Sequence, residues 1–207
     1  MGQIEINHTG SGGGVVLSSD GTDLLLGGSA VGGGGGASAN GTLLQTITIS
    51  SNTSNIDIGS SSLFTTAYTH YRVTGLGMKL ATSDPYLKVR LRRGSTWDTT
   101  SNYNYNFQRN EASAQTLTGG GNSSFYFSQY QYATAGYTGT YILDFFNVAS
   151  TANETMVYAK TLQNNGTTAS MCYGAGRYPH VDAVTGIRLF RHIYAFSGGV
   201  VKLYGVE

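Results

Sequence analysis

The sequence predicts an all-β chain, an antiparallel, jelly-roll-like β-sandwich over residues 41–207 behind a glycine-rich extended appendage over residues 1–40. Three observations lead there. Short segments dominated by Thr, Tyr, Val, Ile and Phe recur at spacings of about 8–15 residues, as in sandwiches. The gaps between them carry turn chemistry. No 11-residue window shows a capped period of 3.6, so nothing reads as a helix.

The appendage comes first. Met1–Asn40 is rich in Gly and Ser and holds two apolar islands, Val15-Val16-Leu17 and Leu24-Leu25-Leu26. Between them lies Asp20-Gly21, a strong tight-turn signal, so the islands read as a small hairpin. A lone hairpin is marginal in water, which makes these six side chains candidates for anchoring on a partner surface. Gly32 to Gly36 is an unbroken glycine run and reads as a flexible tether.

Strands then follow one another. Leu87-Lys88-Val89-Arg90-Leu91-Arg92 alternates strictly between apolar and basic residues, so one face is buried and the other wet. Its cations, with Arg93, read as a solvated face or as a protected sheet edge. Further strands are expected at 44–49, 70–80, 103–107, 125–132, 140–148, 155–162, 168–173, 186–193 and 200–206. Ser83-Asp84-Pro85, Gly119-Gly120-Gly121-Asn122, Asn164-Asn165-Gly166 and Ser197-Gly198-Gly199 are the expected turns.

Composition narrows the function classes. Hydrophobic residues make up 40% of the 207, enough for a core, while charged residues are only 11% against roughly 25% in an average domain. Surface polarity must therefore come from neutral groups. A net charge of +1 carries no footprint for nucleic acid, and no window approaches the 18 apolar residues of a membrane span. Met1–Gly14 has neither a basic start nor an apolar run, so no signal peptide is expected. The single cysteine, Cys172, lies between Met171 and Tyr173 and reads as a buried structural thiol. No Cys/His framework has zinc spacing, and neither a metal nor another cofactor is expected. Six Asn-X-Ser/Thr triplets, at Asn7, Asn40, Asn52, Asn122, Asn153 and Asn165, are what a Ser/Thr/Asn-rich chain produces by chance.

Catalytic chemistry has little to draw on. There are 11 carboxylates and four histidines. His180, in Arg177-Tyr178-Pro179-His180-Val181-Asp182, could be oriented by Asp182, but it lacks a companion nucleophile or a second ligand pair. A glycosidase pair could be assembled only in space, from Asp84, Asp98, Glu111, Asp144, Glu154 or Asp182. Gly32–Gly36 lacks the Lys-Ser/Thr of a phosphate loop. No catalytic residue is assigned, and the chain reads as non-enzymatic.

Aromatic residues are the positive signal. Trp97, Tyr103, Tyr105, Tyr126, Tyr130 and Tyr132 cluster in one stretch, interleaved with Asn, Gln and Ser. Rings with polar tips offer apolar area for sugar or protein recognition, so these six are the candidate ligand-binding residues; core filling is the competing reading.

Two ends of the chain carry a resemblance. They are Gln3-Ile4-Glu5-Ile6-Asn7-His8-Thr9-Gly10 with Val15-Val16-Leu17-Ser18-Ser19-Asp20-Gly21-Thr22-Asp23, and Ala183-Val184-Thr185-Gly186-Ile187-Arg188-Leu189-Phe190 with Ser197-Gly198-Gly199-Val200-Val201-Lys202-Leu203-Tyr204-Gly205-Val206. Tyr71–Gly75 and Gly174–Tyr178 fit the same look. These pieces resemble tailed-bacteriophage virion structural proteins, fibres and minor structural proteins, in which the C-terminal piece forms a closing hairpin. The resemblance implies a jelly-roll-like domain, a homotrimer, a place in the virion, and attachment to other virion proteins through residues 1–36. The expected function is a tail or head fibre displaying its sandwich for host-surface glycan attachment. A capsid cement or decoration protein is the alternative, and a glycan-degrading enzyme the second. Neither nucleic acid nor membrane insertion is expected.

Overall fold

The computed structural model describes residues 4–6, 15–19, 24–26, 29–30, 41–83, 86–110, 115–127, 133, 137–164 and 169–207. The chain divides into two units, Met1–Ala39 and Asn40–Glu207. In the first unit, β1 (Ile4–Ile6), β2 (Val15–Ser19), β3 (Leu24–Leu26) and β4 (Ser29–Ala30) form an antiparallel sheet in chain order. Leu17 faces Leu26 and Ser19 faces Leu24, the pairing that the two apolar islands predict. The Asp20-Gly21 step, the Gly32–Gly36 run and the side chains of Val15, Val16, Leu17, Leu24, Leu25 and Leu26 lie outside the described residues.

Every regular element among the described residues of the second unit is likewise a strand. In chain order they are β5 (Thr42–Ile49), β6 (Asn55–Ile58), β7 (His70–Leu80), β8 (Leu87–Arg93), β9 (Thr96–Trp97), β10 (Tyr103–Asn110) and β11 (Gln115–Asn122). β12 (Phe125–Tyr126), β13 (Gly139–Phe146), β14 (Thr155–Asn164), β15 (Ala169–Tyr178), β16 (Val184–Arg191) and β17 (Phe196–Val206) complete the set. A large antiparallel sheet runs β11-β10-β15-β14-β13-β7-β17-β5, and a smaller one runs β12-β8-β16-β6 with β9 paired to β8. The two pack as a sandwich around one hydrophobic core.

Period-2 alternation explains the core. In β8, Leu87, Val89 and Leu91 have no exposed surface; in β16, Ile187 and Leu189 match them. The large sheet answers with Tyr71, Val73, Tyr141, Leu143, Phe145, Val157, Phe107 and Leu203, all buried. Each such side chain contributes about 1.5–3 kcal/mol by leaving water. Buried tyrosines keep their hydroxyls satisfied: Tyr71 donates to the Thr65 carbonyl at 2.7 Å and accepts from the Thr65 amide at 2.5 Å. Cys172 is buried in the same core, as its apolar neighbours predict.

Several expectations are corrected. Gly119–Asn122 is not a turn but the end of β11, opposite Tyr103 and Tyr105. A Cβ on Gly119 would sit 2.3 Å from Tyr105 Cζ, so the glycine is there to let that ring lie across the strand. Strands β6 and β9 are too short to stand out in the sequence. The expected 125–132 strand ends at Tyr126; residues 128–132 are outside the described set. Nor do the last two strands form a closing hairpin: β16 lies in the small sheet, while β17 lies between β7 and β5 in the large one. Finally, β8 is no edge. It is flanked by β12 and β9 on one side and by β16 on the other.

Candidate functional site

The outward face of the small sheet gathers four of the chain's twelve Lys and Arg together with aromatic rings. Alternation sends Lys88, Arg90 and Arg92 of β8 outward, and Arg188 and Phe190 of β16 beside them. Register sets the rows: Lys88 lies between Phe190 and Tyr126, Arg90 opposite Arg188, and Arg188 opposite Asp57. Trp97 pairs with Arg92.

These cations are roofed by rings. The Arg188 guanidinium lies 4.2 Å from the Trp97 ring centre and that of Arg92 lies 5.2 Å away. Arg90 stands 4.8 Å from Phe190, and Lys88 Nζ 4.6 Å from Tyr126. All fall within cation–π range. Lys88 is only 8% exposed, and its ammonium lies 2.8 Å from His192 Nδ1. The basic residues are therefore half-covered by aromatic surface, rather than forming the freely solvated face that alternation alone suggests.

Their hydrogen bonds are uneven. Arg188 is held by Asp57 through two bonds, at 2.6 and 2.7 Å. Arg92 donates to the Thr185 carbonyl at 2.7 Å, and Arg90 Nε donates to the Ser123 carbonyl at 3.1 Å. Among the described residues no carboxylate pairs with Lys88, Arg90 or Arg92. Burial pushes the Arg90 guanidinium below its ordinary pKa, and the Arg188 charge adds to that effect. Such a group gains most from an anion delivered to its free face.

Tyrosines extend the surface. Tyr105 and Tyr126 lie 5.4 Å apart, and Tyr86 meets Tyr126 edge-on at 5.4 Å. Burial, with the neighbouring phenols, raises the Tyr105 hydroxyl to about 12. On the other side of the sandwich, a trough of about 440 Å³ opens on the large sheet's outer face, with Asn104, Asn106, Met156 and Arg177 among its lining.

Trp97 also borders a cleft of about 280 Å³ lined by Arg93, Asp98 and Thr100. Asp98 is buried and accepts hydrogen bonds from the Thr100 amide and hydroxyl, from Asn102 and, at 2.5 Å, from Tyr178. Burial alone would raise its carboxyl, but these donors outweigh it and hold the group down at about 2. The Tyr178 hydroxyl moves up, through burial first and its bond to Asp98 second. His180 Nε2 lies 3.6 Å from Asp98, whereas Asp182 binds Arg93 at 2.7 Å. The acid that faces His180 is therefore Asp98, not the sequence neighbour Asp182.

The other carboxylates singled out in the sequence are also ion-paired where they are described. Asp144 pairs with Arg72, Glu154 with Arg177 and Asp182 with Arg93. Asp84 and Glu111 lie outside the described residues. Among the described residues, no three His, Cys, Asp or Glu gather to hold a metal, and no helix is long and apolar enough to cross a membrane.

Of the six aromatic candidates, Trp97 and Tyr126 are half-buried with rings on this face; Tyr105, in phase with Tyr103 and Phe107 on β10, packs against the core and touches the face only through Tyr126. Tyr103 is a correction. It has no exposed surface, its hydroxyl bonds the Leu91 amide and the Asp98 carbonyl, and its ring packs edge-on against Phe125. It is core, because residue 103 faces inward where β10 crosses the small sheet's edge. Tyr130 and Tyr132 lie outside the described residues. Arg188, Phe190, Tyr86 and His192 were missed by sequence reasoning. One signal was available: Arg188-Leu189-Phe190 alternates in phase with Lys88–Arg92, as two adjacent strands sharing an outer face should.

No family model, no curated protein and no solved structure matches this chain.

Proposed function

We propose that this chain is a non-enzymatic virion structural protein, a tail or head fibre whose residues 1–36 attach to other virion proteins and whose sandwich attaches to host-surface glycan. The observation that carries the attachment role is the surface Trp97–Arg188–Arg92, a half-buried indole flanked by two guanidinium groups, with Tyr126 farther along the same face. Flat, half-exposed rings with polar neighbours suit the apolar faces of sugars. The virion assignment draws on the resemblance of both chain ends and on the hairpin of the first unit.

A non-enzymatic reading draws on the carboxylates. A glycosidase needs one carboxyl kept protonated near neutral pH, whereas hydrogen-bond donors hold the Asp98 carboxyl down and Arg177 lowers that of Glu154, and Asp144 and Asp182 are engaged by Arg72 and Arg93.

One further observation favours the decoration-protein alternative and, within either role, contact with another protein surface or a second copy; the number three comes from the resemblance alone. The outward face of the large sheet exposes Phe146, Met156, Tyr158, Leu162 and Met171. Its arginines are compensated internally, by Arg72–Asp144 and Arg177–Glu154, while Lys160 and Lys202 on the same face have no carboxylate partner among the described residues.

Competition distinguishes the roles. Full-length protein added to host cells should block adsorption of the particle, and Trp97→Ala should lose that block while staying folded. No block, with antibody label spread over the capsid lattice, would replace attachment by decoration.

A further inference from the structure

We infer that the small sheet's outer face takes an acidic polysaccharide, one bearing carboxylate or phosphate groups, through Arg90 and Arg92 with Trp97 and Tyr126 as the stacking rings. This rests on the attachment reading and specifies its ligand class.

Charge comes first. Lys88, Arg90, Arg92 and Arg188 stand on one face with Asp57 as their only described carboxylate partner, in a chain whose net charge is +1. A third of the chain's twelve Lys and Arg are thus concentrated on a few strand positions. A neutral sugar would not reward that concentration, because like charges at neighbouring positions repel.

Donor geometry comes second. The Arg90 terminal nitrogens and one of Arg92 have no hydrogen-bond partner among the described residues, while each guanidinium is fixed through its other nitrogens, by Ser123 and by Thr185. Arg90 thus presents two free donors on an anchored guanidinium, preorganised for a bidentate oxyanion, and Arg92 adds one donor beside it. Asp57 on Arg188 already displays that pairing on the same face.

Third, rings flank the donors. Trp97 pairs with Arg92 and Tyr126 with Lys88, four residues apart on one strand, or roughly 13 Å. Rings at both ends with acids bound between them suit a chain that alternates apolar sugar faces with anionic groups. Nucleic acid fits less well, since its affinity depends on neutralising many phosphates and the positive patch is short.

The probes are polygalacturonate, its fully methyl-esterified form and a single-stranded oligothymidylate, titrated by calorimetry against the full-length protein. The ester keeps the sugar backbone and removes the charge. Polygalacturonate should bind, more weakly as salt rises, and the ester should bind at least roughly tenfold more weakly. Arg90→Gln with Arg92→Gln should weaken polygalacturonate binding by a similar factor and leave the thermal transition in place. Arg177→Gln, on the opposite sheet, should leave it unchanged. Equal binding of acid and ester, insensitive to the double variant, would overturn the acidic class while leaving glycan attachment standing. No binding of either would overturn both. Tighter binding of the oligonucleotide than of polygalacturonate would assign the face to nucleic acid instead.

Discussion

The two outer faces of the sandwich are built from the same alternation yet differ in what they leave open. On the small sheet, Lys88, Arg90, Arg92 and Arg188 stand among Trp97, Tyr126 and Phe190, with Asp57 as the one carboxylate partner among the described residues. On the large sheet, Phe146, Met156, Tyr158, Leu162 and Met171 are exposed, and the neighbouring arginines each hold an acid. Unpaired cations beside rings leave a demand for anions. Exposed apolar side chains beside paired arginines leave a demand for burial, with Lys160 and Lys202 as the uncompensated charges of that face. The first is the chemistry of a ligand surface and the second that of a subunit interface.

The largest effect separates the cation–aromatic face from the layer beneath it. Tyr103→Ala removes a fully buried ring packed on Phe125 and Tyr178, and should cost about 3–5 kcal/mol of stability. Tyr105→Ala, two residues on and half-buried, should cost about 1 kcal/mol. Urea denaturation of both variants measures the gap. Equal losses would mean that Tyr105 contributes to the core as fully as Tyr103 does.

Next in size is an acid-dependent effect at the cleft beside Trp97. Folding holds the Asp98 carboxyl near 2 against an ordinary value of 3.8. Its stabilisation is therefore complete above the unfolded value and disappears as pH falls from about 4 through about 2. The amount is about 2 kcal/mol. Comparing wild type with Asp98→Asn by denaturation at pH 6 and pH 2.5 should show most of the difference at the higher pH. A pH-independent difference would mean that Asp98 is held by packing alone.

These positions also show what was legible in the sequence. Strands β7 and β8 were plain, because His70–Leu80 and Leu87–Arg93 carry long apolar alternation. β6 was not, since four residues with one polar partner between two isoleucines give no period to count. Trp97 was found as a candidate because a lone tryptophan stands out, but Tyr103 was misplaced with it. Alternation says that Tyr103, Tyr105 and Phe107 share a face, and not whether that face looks inward. Arg188 and Phe190 could have been found only by asking which strand lies next to β8, a pairing of residues far apart in the chain. The Asp98–Tyr178–His180 cluster is invisible for the same reason.

A smaller effect sharpens the ligand face. Asp57 is about half exposed, so Asp57→Asn should change stability by only about 0.2–1 kcal/mol. It frees the Arg188 fork and adds one positive charge to the face. Affinity for polygalacturonate should rise, and more so at low salt. Weaker binding would show that Asp57 positions Arg188 for the ligand rather than occupying its place.

The smallest change in protomer stability belongs to the large sheet, and it tests the other half of the comparison. Leu162 and Met171 are cross-strand neighbours, and both are exposed. Replacing both with Arg leaves the core packing intact, so the protomer should stay within about 0.5 kcal/mol of wild type. If identical copies meet on this face, either the new charges are buried unpaired or the subunits come apart, and separation is the less costly outcome. Light scattering should then show a trimer for wild type and a protomer for the double variant. Polygalacturonate binding per protomer should be unchanged, because the mutated side chains lie on the sandwich's opposite sheet. A wild-type protein that is already monomeric at high concentration would leave the exposed apolar face to virion partners. Disappearance of polygalacturonate binding together with the trimer would mean that the ligand surface is completed by a neighbouring copy, and the two faces would no longer be independent.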